Sequence, residues 1–259
     1  MKIFAVNYNQ RFDSKFNKSL NFKSTLRDYK SEQIDGRSFG NYSWTFRYDL
    51  NWYKLAAYIL ESFQNKDTVN LIQYASSDGS EAYTMLISLL ECGNESLVKK
   101  FLPLKAFDID PIIINAAKTN LINLTDDDVN ELKKIEVFDK YFVLNKENLD
   151  IEDDVKVKSS KTYAVDEILS KNIDFNVGDM FKKVDDIKDN SNTILFCRNS
   201  LAYFEKPEIE KFVKKVNDKL NKNSLFVVGR METTNMNFMN AMKECKFQEI
   251  MPCVFKKII

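Results

Sequence analysis

Phe196-Cys197-Arg198-Asn199 follows directly on the apolar residues Ile194 and Leu195 and leads into Ser200-Leu201-Ala202-Tyr203-Phe204. A buried strand that gives way at once to a thiol, a guanidinium and a carboxamide puts polar groups just outside its carboxyl end. That is where open α/β sheets bind ligands. The chain has no histidine at all. Ser-His-Asp and Cys-His nucleophile systems are therefore excluded, and catalysis must use carboxylates, Tyr, Lys, Arg, Cys or a cofactor. The four cysteines, Cys92, Cys197, Cys245 and Cys253, are scattered without a CxxC pair. No metal site is expected from that spacing, and Cys197 reads as packing rather than as a nucleophile.

Two further stretches repeat the pattern of apolar run followed by small or acidic residues. Val69 to Tyr74 leads into Ala75-Ser76-Ser77-Asp78-Gly79-Ser80-Glu81. Small residues between a strand and a helix let backbone N–H groups approach a ligand, and Gly79 gives the turn conformational freedom. Leu104 to Ile109 carries Asp108, with Asp110-Pro111 behind it. In doubly wound folds a carboxylate some twenty to thirty residues after such a loop is the usual acceptor for a ribose diol. Asp108 is assigned that role and Asp110 the helix cap, although by residue type alone both suit caps and turns.

The strings resemble the CheR family of S-adenosylmethionine-dependent methyltransferases, which act on chemoreceptor glutamates. Phe196 to Phe204 is similar to the family's FCRNxxxYF almost letter for letter, and Phe107 to Asp110 resembles its DID segment. Ala75 to Thr84 resembles GCSTGEEPYS. Gly79, Glu81 and Tyr83 match, Ala75 stands at the first Gly, and Asp78, Ser80 and Ala82 replace Thr, Glu and Pro. Asn41-Tyr42-Ser43-Trp44-Thr45-Phe46-Arg47 looks like NxTxFFR, with Ser43 for Thr and Thr45 for the first Phe. The family's GHSE reads Gly229-Arg230-Met231-Glu232, and only about forty residues precede the Arg47 motif where the family has a longer helical region.

The resemblance implies roles residue by residue. Arg47 would lie beside the transferable methyl and Ser43 would touch the cofactor; by type alone Arg47 also suits a surface ion pair. Ala75 and Gly79 would belong to the cofactor loop. Glu81 would face the methionine ammonium, or else complement the helix dipole. Asp179 and Met180, after the run Ile173 to Val177, would meet the adenine, or form a solvated turn. Asn199 would hold the cofactor's amino-acid end, and Tyr203 would donate to the acceptor or line the methyl's path. Arg198 is read as a core-edge pairing residue instead. The implied activity is O-methylation of glutamate side chains on chemotaxis receptors. The alternatives are methylation of another protein or a small carboxylic acid, and a non-catalytic S-adenosylmethionine-binding module; Arg47 and Tyr203 argue for catalysis. A glutamate carboxylate is ionised near neutral pH, so its attack on a sulfonium methyl needs no general base.

The elements that must carry these residues alternate as strand and helix. That predicts an α/β fold with a doubly wound sheet, mostly parallel with an antiparallel edge strand; the resemblance implies that it is a Rossmann-like methyltransferase sheet. Leu50, Tyr53, Ala57, Leu60 and Phe63 share one helical face, as do Ile209, Phe212, Val213, Val216 and Leu220. The expected strands are 69–74, 104–109, 173–177, 194–197 and 225–228, closed by an antiparallel pair over 247–250 and 253–258. Residues 1–48 are expected to form a short helical N-terminal region, with Phe4, Tyr8, Phe12 and Phe16 spaced as one stripe. Residues 49–259 then form the catalytic domain, with an insertion at about 120–165 containing strands near 141–144 and 155–158, and a helix over 165–169.

Charge narrows the partners. Lys+Arg and Asp+Glu are both 38, so no net field favours nucleic acid or an anionic membrane. Residues 1–47 hold nine basic and four acidic side chains, whereas 126–154 hold eleven acidic and four basic. A basic front suits the acidic helical surface of a chemoreceptor or other protein substrate, or is simply a solvated face. No run reaches the ~20 apolar residues of a membrane span, no signal-peptide core is present, and free thiols suit a reducing compartment. A cytoplasmic monomer is the expectation.

Overall fold

The structure is a computed structural model, and it describes residues 27–29, 33–34, 37–38, 41–145, 160–188 and 191–259. Its main sheet has seven strands: β1 Asn70–Tyr74, β2 Leu104–Asp108, β3 Ile173–Val177, β4 Thr193–Cys197, β5 Leu225–Val228, β6 Phe247–Met251 and β7 Val254–Lys257. Their spatial order is 3-2-1-4-5-7-6. The first five are parallel; β7 runs antiparallel to both β5 and β6. The expected antiparallel strand thus lies one place in from the edge, because β6 pairs only with β7. The order reverses between β1 and β4, which makes their carboxyl ends the topological switch point of a Rossmann-like sheet.

Alternation along each strand explains why both faces are covered. Leu71, Ile194, Phe196, Leu225 and Val227 enter one apolar cluster, while Ile72, Tyr74, Leu195, Cys197, Phe226 and Val228 enter the other. The first face takes the helices Trp52–Ser62, Ser80–Cys92 and Pro111–Lys118 through residues such as Leu55, Leu86 and Ile114. The second takes Lys206–Lys219 and Met236–Glu244 through Phe212, Val213 and Phe238. Each such side chain, fully buried, contributes about 1.5–3 kcal/mol. None of the described helices is long and apolar enough to cross a membrane.

The insertion is a separate three-stranded antiparallel sheet, with Ser160–Val165 between Leu121–Thr125 and Phe142–Leu144. Thr125 ends its strand and caps the helix Asp126–Lys134 in a reciprocal box: its Oγ1 accepts from Asp128 N–H at 3.1 Å, and its own N–H donates to Asp128 Oδ2 at 2.9 Å. The expected strand at 155–158 lies outside the described residues. Val165 ends a strand rather than opening a helix; the helix is Glu167–Ser170, capped by Asp166. At the N-terminal end, the Phe4–Phe16 stripe also lies outside the described residues. Where residues of 1–48 are described, short strands replace the expected helix: Arg27–Tyr29 pairs with Asn41–Ser43, and Gln33–Ile34 with Arg37–Ser38. The Ser, Asn, Asp and Gly content of that stretch offers the backbone turn and cap hydrogen bonds that compete with a helix.

Two features hold the strand tips in shape. Gly79, between β1 and its helix, has φ +83°, and a Cβ there would lie 2.5 Å from Phe175 Cζ on β3. Glu232, fully buried in the short helix Arg230–Thr233, collects the backbone N–H groups of the loop after β4: Asn199 and Ser200 at 2.8 Å, Leu201 at 3.0 Å, and Gly229 at 2.9 Å from its own helix start. Burial raises its pKa, against these N–H bonds that favour the ionised form. Gly79→Ala is expected to destabilise the fold by about 1–3 kcal/mol, read as a lower denaturant midpoint at unchanged m-value. Glu232→Ala strands several buried donors at once and should cost about 3 kcal/mol or more in the same measurement.

Candidate active site

The crevice at the switch point is walled by three segments that are far apart in sequence. The loop after β1 supplies the first. Ala75 and Ser77 both take positive φ, 52° and 49°, although neither is glycine. Ser77 N–H donates to Asp108 Oδ2 at 2.8 Å, and Asp110 N–H to Asp108 Oδ1 at 3.1 Å. Asp108 ends β2 and is 6% exposed. Burial pushes its carboxyl up to about 6, with the Asp110 and Ser77 N–H groups pulling the other way. Each of its oxygens keeps a second lone pair for a ligand hydroxyl. Asp110 meanwhile caps its helix by accepting from Ile112 N–H at 2.8 Å.

The second wall is the loop after β4. Arg198 is 5% exposed and reaches three segments. Its Nη1 donates to Glu81 Oε1 at 2.7 Å, its Nη2 to Asp49 Oδ1 at 2.5 Å, and its Nε to the Val228 carbonyl at 3.2 Å. Burial disfavours its charge, but Glu81 and Asp49 outweigh that and its pKa is raised. Asn199 has φ 52° and packs so closely on Gly229 that a Cβ there would lie 2.2 Å from Asn199 Oδ1. Cys197 is fully buried, 3.6 Å from Met180 Sδ and 3.2 Å from Ser200 Oγ. Burial pushes its thiol far above the ordinary range, so it packs and does not attack. Tyr203 ends a single turn, Leu201–Tyr203, with its ring 56% exposed on the rim.

The third wall is 44–49, held down from both sides. Phe46, at φ 48°, donates its N–H to Thr84 Oγ1 at 3.0 Å, and Trp52 Nε1 donates to the Arg47 carbonyl at 3.0 Å. Arg47 is thereby turned inward, 8% exposed, with Cζ 4.1 Å above the Trp44 ring and Nε 3.2 Å from Glu81 Oε1. Its ion pair is buried, not on the surface. A cavity of about 320 Å³ opens here, lined by Trp44, Arg47, Tyr48, Asp49, Asn199, Arg230, Met231 and Thr234.

The fold thus brings Arg47 and Asn199 from two walls to one cavity, with Glu81 paired to Arg47. Ser43 is buried next to Trp44 but does not line this cavity. Ala75, Gly79 and Asp108 lie along the neighbouring tips of β1 and β2. Asp179 and Met180 follow β3, farther along the same edge: Asp179 caps a short helix by accepting from Phe181 N–H at 2.9 Å, and Met180 is buried. Sequence reasoning passed over Asp49 and the carboxylate role of Glu232. Asp49 sits two residues after Arg47 in a turn, with no motif to mark it. Glu232 was visible as the last residue of the Gly229–Glu232 string, but not its donors.

Several buried polar atoms on these walls have no hydrogen-bond partner among the described residues: Trp44 Nε1, Ser76 Oγ, Ser77 Oγ and Asn199 Nδ2. Native interiors rarely leave such atoms unmatched unless a ligand or water meets them. A cofactor carrying a sugar diol and an amino-acid end is a chemical match for that set.

The family described as CheR methyltransferase, SAM binding domain, matches residues 41–251. A chemotaxis protein methyltransferase of Borreliella burgdorferi is 26% identical over 257 residues, covering 93% of this chain and 80% of that protein. Among solved structures, the precorrin-6y C5,15-methyltransferase of Geobacter metallireducens superposes with a TM-score of 0.41 at 10% identity, over 79% of this chain and 77% of that one. Human N-acetylserotonin methyltransferase gives 0.37 at 10% identity, over 79% of this chain and 52% of the human chain. The matched span contains all three walls and every strand of the main sheet but β7: the chain belongs to the CheR methyltransferase family, and S-adenosylmethionine is its methyl donor.

Proposed function

We propose that this chain methylates side-chain carboxylates, specifically glutamates on a chemoreceptor-like protein. The observation that carries the reading is the meeting of Arg47 and Asn199, from two different walls, in one cavity at the switch point. The matched family and the chemotaxis methyltransferase relative support the same acceptor class.

When bound, S-adenosylmethionine supplies an electrophilic methyl on a sulfonium. The chain's own residues do the rest. The tips of β3, β2, β1 and β4 lie side by side, three strand spacings or about 14 Å in all. In this assignment Asp179 and Met180 take the base, Asp108 accepts from the ribose diol, the Ala75–Gly79 loop offers backbone N–H groups, and Asn199 Nδ2 donates to the amino-acid carboxylate. Glu81 stands between Arg47 and Arg198, so any ammonium it meets shares it with two guanidiniums. Ser43 supports Trp44 from behind. Arg47 orients the acceptor oxygen, and the Tyr203 hydroxyl donates to it from the rim. No residue needs to remove a proton, because the acceptor is already an anion. Placement and exclusion of water carry the acceleration, up to about 7–11 kcal/mol in well-oriented cases.

Incubation with radiolabelled S-adenosylmethionine and chemoreceptor membranes should give label that base releases as methanol. Base-stable label would refute an ester, and cofactor binding without turnover would indicate a non-catalytic module. Arg47→Ala is expected to lower kcat/KM about a hundredfold and Tyr203→Phe about tenfold; unchanged turnover in both would remove them from the site.

The ribose assignment has a pH signature. Ligand hydroxyls favour the ionised form of Asp108, whose carboxyl sits near 6. Protonation therefore competes with binding as pH falls through that value. The dissociation constant of S-adenosylhomocysteine should be flat above it and weaken about tenfold per unit below it. Titration calorimetry across this range checks the slope, and Asp108→Asn should abolish it.

A further inference from the structure

The charges at the inner end of the cavity cancel. Glu81 Oε1 lies 3.2 Å from Arg47 Nε and 2.7 Å from Arg198 Nη1, and Asp49 Oδ1 lies 2.5 Å from Arg198 Nη2. That is a closed set of two guanidiniums and two carboxylates, all with side chains at most 10% exposed. Arg47 is therefore a neutralised cation, stacked on Trp44 and held by its own carboxylate.

Arg230 lines the same cavity under different conditions. Its backbone N–H donates to Asp49 Oδ2 at 3.0 Å, which fixes the main chain at the wall. Its side chain is exposed, and among the described residues the guanidinium has no ion pair, hydrogen bond or ring contact. Asp49 does not neutralise it, since Arg198 already holds that carboxylate and Asp49 is 7% exposed. The other residues of the mouth, Trp44, Tyr48, Met231 and Thr234, carry no charge. Tyr48 and Met231 are 58% and 41% exposed, an apolar rim beside the cation.

We infer that Arg230 is the specificity residue for the acceptor: its guanidinium receives the incoming glutamate carboxylate, while Tyr48 and Met231 take the apolar part of the acceptor chain. This rests on the carboxylate reading above and adds to it which cation does the selecting. Arg47 orients an anion that Arg230 has admitted. A planar guanidinium pairs with a carboxylate in two-pronged fashion, whereas a lysine supplies only a point charge.

The test is steady-state kinetics of the full chain with radiolabelled S-adenosylmethionine and chemoreceptor membranes, for Arg230→Ala, Arg230→Lys and Arg230→Glu, with S-adenosylhomocysteine affinity measured alongside. Arg230→Ala should raise the acceptor KM about ten- to hundredfold with kcat little changed. Arg230→Lys should recover part of the loss and Arg230→Glu should deepen it. Raising salt should weaken the acceptor KM of the wild type more than that of Arg230→Ala. S-adenosylhomocysteine affinity should stay unchanged in all three, which a merely structural role would not allow. Base-labile label with an unchanged acceptor KM in Arg230→Ala overturns this inference alone, as does a parallel fall in S-adenosylhomocysteine affinity. Base-stable label from the wild type overturns the carboxylate reading and this inference together.

Discussion

The buried Arg198 guanidinium is the interaction on which the site depends. It joins the loop after β4 to the first turn of the helix after β1, to the turn at Asp49, and to the end of β5. Its ring partner Trp52, 4.9 Å away, begins the helix that roofs one face of the sheet. Desolvating such a cation costs several kcal/mol, and its two carboxylates do little more than offset this. What the network yields is registry. Removing Arg198 would leave Glu81 and Asp49 as buried anions and would release the segment that carries Arg47. Glu232 does the complementary work on the main chain, drawing the N–H groups of the same loop around a single carboxylate. One loop is thus clamped twice, by its side chain and by its backbone.

Of the nine non-glycine residues with positive φ among the described residues, five (Asn120, Glu136, Asn223, Lys246 and Cys253) sit in turns elsewhere and four fall on this site. Phe46, Ala75, Ser77 and Asn199 all take positive φ without being glycine, and each lies on a wall of the crevice. Conformations of this kind persist only where surrounding bonds over-determine them, and they gather at ligand sites. Here the restraints are visible: Thr84 holds Phe46, Asp108 holds Ser77, and Glu232 holds Asn199. The carboxylate of Asp108 restrains the loop by accepting from Ser77 and Asp110 N–H. Burial pushes its pKa up to about 6, against those two bonds.

Much of this was legible in the chain. The apolar runs at Leu71–Tyr74 and Ile194–Cys197 predicted strands that are buried on both faces, whereas Leu104–Asp108 has Lys105 exposed on one side. Asp110-Pro111 marked a helix start because capping is a local event. Legibility failed where structure is made by distant partners. Leu121–Thr125 is a strand only because Ser160–Val165 pairs with it across an acidic stretch. The short helix Arg230–Thr233 carries too few apolar residues to reveal a period. Arg27–Tyr29 and Gln33–Ile34 are strands because each pairs with a short partner strand, Asn41–Ser43 and Arg37–Ser38, which no helical spacing reveals. In the site, residue types were readable and pairings were not. Nothing in the order of residues shows that Glu81 answers two arginines, or that Asp49 belongs to the set.

That pairing changes how the positive charge at the site should be understood. A motif arginine next to a reacting carboxylate invites the view that it captures the anion. Yet an arginine already facing Glu81 at 3.2 Å has little field left to attract a second carboxylate from solvent. Its geometry is fixed, with the guanidinium flat against Trp44, and fixed geometry suits orientation better than capture. Capture needs a cation that is exposed and uncompensated, and within the cavity that description fits Arg230. A site that splits admission from alignment between two guanidiniums does not need histidine. Under the proposed function the acceptor brings its own negative charge, and the protein would have only to admit it, turn it and keep water out.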